Sequence, residues 1–318
     1  MTGRLDGKVV LVTGSGGGLG REYALALARE GASVVANDFN ADLEGTVNSQ
    51  DRAGAVAAEI AALGGHAVAN RDSVASWSGA RAMVDMAIDT FGRLDIVVNN
   101  AGVNHQHRLA TLTEDEVDIE LDVHLKGTIA VSHFAAAYWF QEGPAQGRAI
   151  VNTTSAAGLH PASGAGIYGA AKAGVAALTV SHAQELASLG VRVNAVAPCA
   201  RTRMVEGAPV INAMMPRPDQ GFDRHLPEHV APFVVYLSSG ANRFTGRIFA
   251  VEGPDFAIYQ PSAVVDEWSH DGPWRVADIE EVLRDVGQQA TVRAFVPNGP
   301  IDLPVPPGRT LRDLGSAP

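Results

Sequence analysis

The sequence contains a single cysteine, Cys199, in 318 residues. No intrachain disulfide can form, and one isolated thiol is typical of a protein from a reducing compartment. The first residues, "MTGRLDGKVV", lack the apolar run of a signal peptide. No stretch has the ~18 consecutive apolar residues that a membrane span requires. These absences predict a cytoplasmic protein with no membrane span.

Basic residues are also few, with 24 Lys and Arg against 35 Asp and Glu and a net charge of −11. Nucleic-acid binding needs clustered Lys and Arg, so we expect no nucleic-acid partner. A small anionic ligand remains compatible with this charge, because helix N-termini bind anions. The 46% hydrophobic and 19% charged residues indicate an ordinary globular protein.

Buried strands alternate with amphipathic helices along most of the chain. Strands are predicted at "KVVLVTG", "ASVVAND", "HAVANRD", "LDIVVNNAG", "RAIVNTTS", "VRVNAVAP" and "RIFAVEG". This alternation predicts an α/β fold with a doubly wound parallel sheet of the Rossmann type. We expect one catalytic domain over residues 1–258 and a C-terminal extension over 259–318, with one helix at "VADIEEVLRDV".

The stretch "TGSGGGLG" lies between the first predicted strand and the first helix. It fits the spacing G-x-x-x-G-x-G through Gly14, Gly18 and Gly20, whereas G-x-G-x-x-G would need glycine at Leu19. Glycines at these positions let the backbone and a helix N-terminus approach a pyrophosphate. A merely flexible turn is less favoured, because a strand precedes the glycines and a helix follows them.

Asp38 ends the second predicted strand, 24 residues after Gly14. A carboxylate there accepts hydrogen bonds from ribose hydroxyls and repels a 2′-phosphate. Asp at a strand end is otherwise often a turn former. Because Gly17 stands where a basic residue could counter the repulsion, the two features together favour NAD.

The stretch "SAAGLHPASGAGIYGAAKAG" is nearly all Ala and Gly but carries Ser155, Tyr168 and Lys172. Tyr168 and Lys172 are four residues apart and share one face of a helix. An ammonium beside a phenol stabilises the phenolate, which favours acid/base chemistry. The pair alone does not separate this reading from a helix that happens to carry two polar residues.

Taken with "NNAG" at 99–102 and the thirteen-residue step from Ser155 to Tyr168, these motifs resemble the short-chain dehydrogenase/reductase family over roughly residues 5–255. "VHLKGT" and "VAPFVVYLSSGANRFTGRIFAVEG" further resemble the dehydrogenase domain of multifunctional β-oxidation proteins, also called type 4 17β-hydroxysteroid dehydrogenases. The resemblance implies that Tyr168 is the general acid/base, that Lys172 stabilises its phenolate and bonds the nicotinamide ribose, and that Ser155 polarises the substrate oxygen. No His, Cys and Asp cluster has the spacing of a metal site, so we expect no metal.

The resemblance also implies where NAD is bound. The residues concerned are Gly14, Gly18, Leu19, Gly20, Asp38, Asp72, Ser73, Asn100, Gly102, Tyr168, Lys172, Pro198 and Thr202. His124 stands where the family usually has Asn. It is expected either to hold a water that relays the catalytic proton, as that Asn does, or only to fill space on its helix.

The substrate is left open between several readings. The first is a lipid-like 3-hydroxyacyl-CoA, including one with a steroid-derived chain, under a lid at 202–222 with Arg201 or Arg203 holding the CoA phosphates. The alternatives are a free 17β-hydroxysteroid, a 3-oxoacyl carrier-protein substrate, and a catalytically silent nucleotide sensor, which would not need Tyr168 and Lys172. The resemblance implies a homodimer or homotetramer through helices at 113–140 and 165–188. His105 and His107 are interpreted as solvated, and Cys199 as a small buried filler.

Overall fold

The computed structural model describes residues 3–41, 49–103, 109–161, 164–206, 212–259, 273 and 275–283. One eight-stranded sheet with the order β3-β2-β1-β4-β5-β6-β7-β8 forms the centre of the molecule. The strands are β1 Val9–Thr13, β2 Ser33–Asn37, β3 His66–Asn70, β4 Ile96–Asn99, β5 Arg148–Thr153, β6 Val191–Pro198, β7 Ile248–Glu252 and β8 Asp255–Tyr259. The first seven are parallel, which confirms the predicted Rossmann-type sheet.

The helices cover both faces of this sheet. They are α1 Gly18–Arg29, α2 Arg52–Ala62, α3 Trp77–Phe91, α4 Glu114–Leu121, α5 Gly127–Glu142, α6 Ala156–Leu159, α7 Gly166–Glu185, α8 Arg203–Glu206, α9 Ala231–Ser238 and α10 Val276–Leu283. One apolar cluster packs α1, α2 and α9 against one face, and a second packs α3, α5 and the end of α7 against the other. Every residue of β1 and β4 is buried, because helices cover both sides.

The antiparallel strand β8 was not predicted from the sequence. It pairs with β7 through a tight turn in which Gly253 has a φ of +53° and Glu252 lies opposite Asp255. Phe256 and Ile258 are exposed, so the strand lacks the buried apolar run of its neighbours. The predicted domain boundary at residue 258 falls inside β8.

Two further features bear on the predictions for the chain ends and the membrane. The helix α10 begins where the tail helix was predicted, and apart from residues 259, 273 and 275 the rest of the extension lies outside the described residues. No helix in the described part of the chain is long and apolar enough to cross a membrane.

The topology also places the site. The chain runs from β1 outward to β2 and β3, and then returns to β4 on the other side of β1. Open α/β sheets bind ligands where the strand order reverses in this way, outside the carboxyl ends of the strands. Thr13 and Asn99 end β1 and β4 at this reversal, which places the glycine-rich turn and "NNAG" side by side.

Candidate active site

The turn between β1 and α1 is too tightly packed for side chains. Gly14 and Gly18 have φ values of +65° and +51°, a region that favours glycine. A Cβ on Gly14 would lie 2.7 Å from Ala101 Cα, and one on Gly20 would lie 2.1 Å from the Gly14 carbonyl oxygen. No described side chain caps α1, so its first backbone N–H groups are available to an anion. The turn therefore fits a dinucleotide pyrophosphate.

Asn100 fastens this turn to the end of β4. Its Nδ2 donates to the carbonyl oxygens of Thr13 and Gly14 at 3.0 and 3.1 Å, and its backbone N–H donates to Thr13 Oγ1 at 3.0 Å. The side chain of Asn100 thus holds the shape of the turn, and the cofactor contact that the resemblance implies for this residue stays a prediction.

The Asp38 carboxylate lies beside the same turn, directly after β2. Its Oδ2 accepts the Gly16 N–H at 2.9 Å, and its Oδ1 accepts the Asn40 N–H at 2.8 Å. Backbone donors hold the carboxylate next to the glycine-rich turn. This is the place where an adenosine ribose would meet it.

Asp72 and Ser73 follow β3 at the same edge of the sheet. Asp72 Oδ2 accepts from Asn70 Nδ2 at 2.7 Å, and the Asp72 carbonyl accepts from Asn37 Nδ2 at 2.9 Å. Ser73 Oγ accepts the Ala75 N–H at 3.3 Å. These bonds fix the outer wall of the crevice, where the sequence predicts the adenine.

Ser155, Tyr168 and Lys172 meet at the carboxyl end of β5. Lys172 is 4% exposed, its Nζ donates to the Thr153 carbonyl at 2.7 Å, and this Nζ lies 5.8 Å from the Tyr168 ring centroid. Ser155 is the N-cap of α6, and its side chain hydrogen-bonds Tyr168. The structure therefore brings all three predicted catalytic side chains together.

Burial changes the protonation of this group. It lowers the pKa of Lys172 to about 8, with the charge of Glu120 acting in the opposite direction. It also raises the pKa of Tyr168, against the lowering effect of the hydrogen bond from Ser155. At pH 7 the ammonium is still charged and the phenol still holds its proton. A cation beside Tyr168, such as the Lys172 ammonium, stabilises the phenolate and so makes the phenol proton easier to transfer.

His124 lies under the Tyr168 ring on a single π-helical turn, Asp122–Lys126, between α4 and α5. The two rings meet edge to face with centroids 5.2 Å apart. His124 is 1% exposed, and its Nε2 lies 2.8 Å from the Val103 carbonyl oxygen. A Cβ on Gly102 would lie 2.6 Å from His124 Cε1, so the glycine of "NNAG" is needed to admit this imidazole.

The segment after β6 closes over the glycine-rich turn. The strand ends at Pro198, and Thr202 Cγ2 lies 3.3 Å from the position that a Gly18 Cβ would take. Arg203 Nη2 lies 3.3 Å from the corresponding position on Gly17. This guanidinium therefore lies beside the glycine-rich turn, and its contact with CoA phosphates stays a prediction. Leu19 packs against the apolar core under α1.

Arg201 does not suit the role suggested for it. The side chain is 7% exposed, pairs with Asp223, and donates to the Met215 carbonyl at 2.7 Å. Its charge is neutralised inside the protein, so it is unavailable to a CoA phosphate. His105 and His107 lie outside the described residues, as does the 207–211 part of the predicted lid.

Cys199, His225 and Glu252 place their ligand atoms within 4.8 Å of one another, although they are far apart in the sequence. Burial, followed by the charge of Glu252, raises the pKa of Cys199 to about 12, so the thiol keeps its proton. Arg224 Nε lies 2.9 Å from Glu252 Oε1 and neutralises this carboxylate. A protonated thiol and a neutralised carboxylate are poor metal ligands. We interpret the group as an ion-pair network that fastens the 223–225 segment to β7.

The model of the short chain dehydrogenase family matches residues 8–209, which contain the glycine-rich turn, "NNAG" and the Ser155, Tyr168 and Lys172 group. The chain belongs to the short-chain dehydrogenase family. It is an oxidoreductase that acts on alcohol groups, and this family uses nicotinamide cofactors.

Named relatives share most of the chain. The hydroxyacyl-CoA dehydrogenase ChsB1 of Mycobacterium tuberculosis is 38% identical over 289 residues, covering 88% of this chain and 89% of the relative. The peroxisomal multifunctional enzyme type 2 of Mus musculus is 40% identical over 248 residues, covering 78% of this chain and 32% of the mouse enzyme. The structure of a short chain dehydrogenase from Mycobacterium avium has a TM-score of 0.78 at 42% identity, covering 89% and 95% of the two chains.

Solved members with bound cofactors differ in which nicotinamide they hold. A short chain dehydrogenase from Burkholderia cenocepacia, 32% identical with a TM-score of 0.68, is a complex with NADP and covers 79% of this chain and 98% of its own. A 7α-hydroxysteroid dehydrogenase is 29% identical, with a TM-score of 0.69, and its structure is a complex with NADH and 7-oxo glycochenodeoxycholic acid. The match covers 79% of this chain and 95% of the steroid dehydrogenase chain. Solved structures of this fold thus hold either cofactor.

Proposed function

We propose that the protein reversibly oxidises the hydroxyl of a 3-hydroxyacyl-CoA to the 3-oxoacyl-CoA with NAD. The observation that carries this proposal is the meeting of Ser155, Tyr168 and Lys172 at the same sheet edge as the glycine-rich turn and Asp38. The hydroxyacyl-CoA substrate is favoured by the name of the mycobacterial relative, which aligns over nearly its full length.

In this proposal each side chain has a distinct role. Ser155 donates a hydrogen bond to the substrate oxygen, where charge develops during the reaction. Tyr168 accepts the hydroxyl proton in its phenolate form, and Lys172 stabilises this phenolate. The N–H groups of α1, with Thr202 and Arg203 above them, would hold the pyrophosphate, and Asp38 the adenosine ribose. Bound NAD supplies the acceptor for the substrate hydride.

Substrate choice is tested by measuring NAD reduction on a panel of 3-hydroxyacyl-CoA thioesters of increasing chain length, steroid-derived thioesters and free hydroxysteroids. We expect kcat/KM to rise from short to bulky acyl groups and to exceed that for free steroids. Free steroids as the better substrates would favour the second candidate, which the steroid dehydrogenase among the structural neighbours supports. Tight NAD binding without turnover of any alcohol would instead indicate a sensor.

Cofactor choice is tested with Asp38→Ala. We expect the wild type to prefer NAD over NADP at least about tenfold in kcat/KM, because a 2′-phosphate against this carboxylate costs upwards of ~1.4 kcal/mol. The variant should lower the ratio of kcat/KM with NAD to kcat/KM with NADP, mainly because its kcat/KM with NADP rises. Asp85→Ala, which removes an exposed carboxylate on α3, is the matched control. Equal efficiency of the wild type with both cofactors would contradict the role of Asp38.

A homodimer or homotetramer, expected from the family resemblance, stays a prediction. Light scattering at micromolar protein concentration would measure the subunit number.

A further inference from the structure

Glu120 is a buried carboxylate beside the site that none of the sequence motifs indicates. It lies in the last turn of α4 and is fully buried, with 0% of its surface exposed. Removing a carboxylate from water costs several kcal/mol unless nearby groups compensate. Groups of the catalytic centre are among those near Glu120.

Glu120 contacts His124, and its charge acts on Tyr168 and Lys172. Its Oε2 lies 3.3 Å from His124 Nε2, one helical turn later. The same negative charge raises the pKa of both Lys172 and Tyr168 on α7. The groups that face His124 are therefore Glu120 from its own helical segment, Tyr168 and Lys172 from α7, and the Val103 backbone after β4.

These contacts favour one tautomer of His124. The Val103 carbonyl oxygen lies 2.8 Å from Nε2 and can accept its proton, and the charge of Glu120 Oε2, 3.3 Å from Nε2, favours a proton on the same nitrogen, so Nε2 carries the proton. The Val103 N–H also lies 3.3 Å from Nε2, but it is the longer of the two backbone contacts. The other ring nitrogen, Nδ1, is buried without a hydrogen-bond partner among the described residues, and it lies 3.2 Å from the position of a Gly102 Cβ. The acceptor Nδ1 thus lies beside Gly102.

We propose that Glu120 is a positioning residue for proton release, which holds His124 with Nε2 protonated and stabilises the imidazolium that forms when Nδ1 accepts a proton. This inference rests on the proposed alcohol oxidation. Each turnover transfers one hydroxyl proton to Tyr168, and this proton must then leave a buried site. By way of Lys172 it reaches Nδ1, and Nδ1 later gives it to solvent, so His124 ends each cycle neutral.

The electrostatics around His124 make such help necessary. Burial and then the charge of Lys172 lower the pKa of His124, while Glu120 raises it. Without the carboxylate, the imidazolium would form less readily. A carboxylate that orients an imidazole and stabilises its protonated form is the arrangement of the serine-protease triad.

The test is a double-mutant cycle of Glu120→Gln and His124→Asn, assayed with whichever alcohol the wild type oxidises best. Gln keeps the volume and an acceptor but removes the charge. We expect E120Q to lower kcat by about tenfold, with KM and NAD affinity within about twofold of the wild type. In the H124N background E120Q should change kcat by less than about twofold, because Asn never becomes charged. Asp118→Asn, an exposed carboxylate on the same helix, is the matched control.

The cycle separates the relevant outcomes. Equal losses in both backgrounds would show that Glu120 acts through Lys172 or the fold, and would overturn the proposal, as would an unchanged E120Q enzyme. The pH profile gives a second measure, since the loss in E120Q should shrink in alkali, where the proton leaves more easily, and in acid, where wild-type His124 is already protonated. Absence of turnover in the wild type would instead count against the proposed function.

A spectroscopic measurement on the cofactor-free wild type needs neither activity nor a variant that folds. NMR of protein labelled with ¹⁵N-histidine reports which ring nitrogen of His124 carries the proton. We expect the Nε2–H tautomer near pH 7, and the Nδ1–H tautomer would overturn the proposal. Where E120Q folds, its His124 should titrate at a lower pH than in the wild type.

Discussion

Tyr168→Phe is expected to lower kcat by about 10²-fold or more while leaving cofactor affinity nearly unchanged. The substitution keeps the ring, and with it the edge-to-face contact with His124. It removes the hydroxyl that bonds Ser155 and exchanges a proton with the substrate. Because ring packing is retained, the loss should reflect chemistry rather than folding. Steady-state kinetics with NAD, together with a fluorescence titration of NADH binding, measure the two effects.

Tyr138→Phe is the matched control, since Tyr138 lies on α5 and packs against the core away from the site. It should keep kcat within about twofold of the wild type. Near-native turnover in the Tyr168 variant would show that another group carries the proton. Ser155→Ala would then separate loss of the hydrogen-bond network from loss of the acid.

The elements that position the site could be predicted from the sequence because each depends on local chemistry. Strands buried on both faces need continuous apolar runs, and seven such runs became the seven parallel strands. The glycines at 14 and 20 are required by contacts with neighbouring backbone, so their spacing alone indicated the turn. Tyr168 and Lys172 were paired correctly because helical spacing fixes which residues share a face.

What the sequence did not predict depends on contacts between distant residues. The strand β8 carries a short apolar run, but its side chains are exposed or half-buried, and its pairing with β7 defines it. The sequence predicted that Arg201 could bind an anion, but in the structure it pairs with Asp223 from another part of the chain. Glu120 resembles any acid on an amphipathic helix, and its burial against His124 depends on the packing of α4 against α7.

The charges of the site also explain why Lys172 must be buried beside an acid. An ammonium that is 4% exposed would lose its proton more readily if Glu120 did not oppose the effect of burial. The carboxylate has a cost, since it raises the pKa of Tyr168 as well. The charges of Lys172 and Glu120 therefore act in opposite directions on the pKa of Tyr168. Removing the cation should be the more harmful change.

Lys172→Met is accordingly expected to lower kcat/KM for alcohol oxidation by at least about 10²-fold at pH 7 and to weaken NAD binding. Below pH 8 the wild-type ammonium is charged and stabilises the Tyr168 phenolate. This help is lost as the pH rises through the pKa of about 8. The Met variant lacks the cation at every pH, so the acidic limb of its kcat/KM profile should move to higher pH. The ratio of wild-type to variant activity should then be largest at pH 6–7 and shrink above pH 9.

The control for this substitution is Lys126→Met, an exposed lysine paired with Asp122 in the neighbouring helical segment. It should leave the profile unchanged, since an exposed i,i+4 pair contributes little. Melting curves verify that K172M is folded despite the loss of the bond to Thr153. A constant activity ratio from pH 6 to pH 10 would mean that Lys172 acts by holding the cofactor rather than by its charge on Tyr168. A shrinking ratio with weakened NAD binding would show that one buried ammonium performs both tasks.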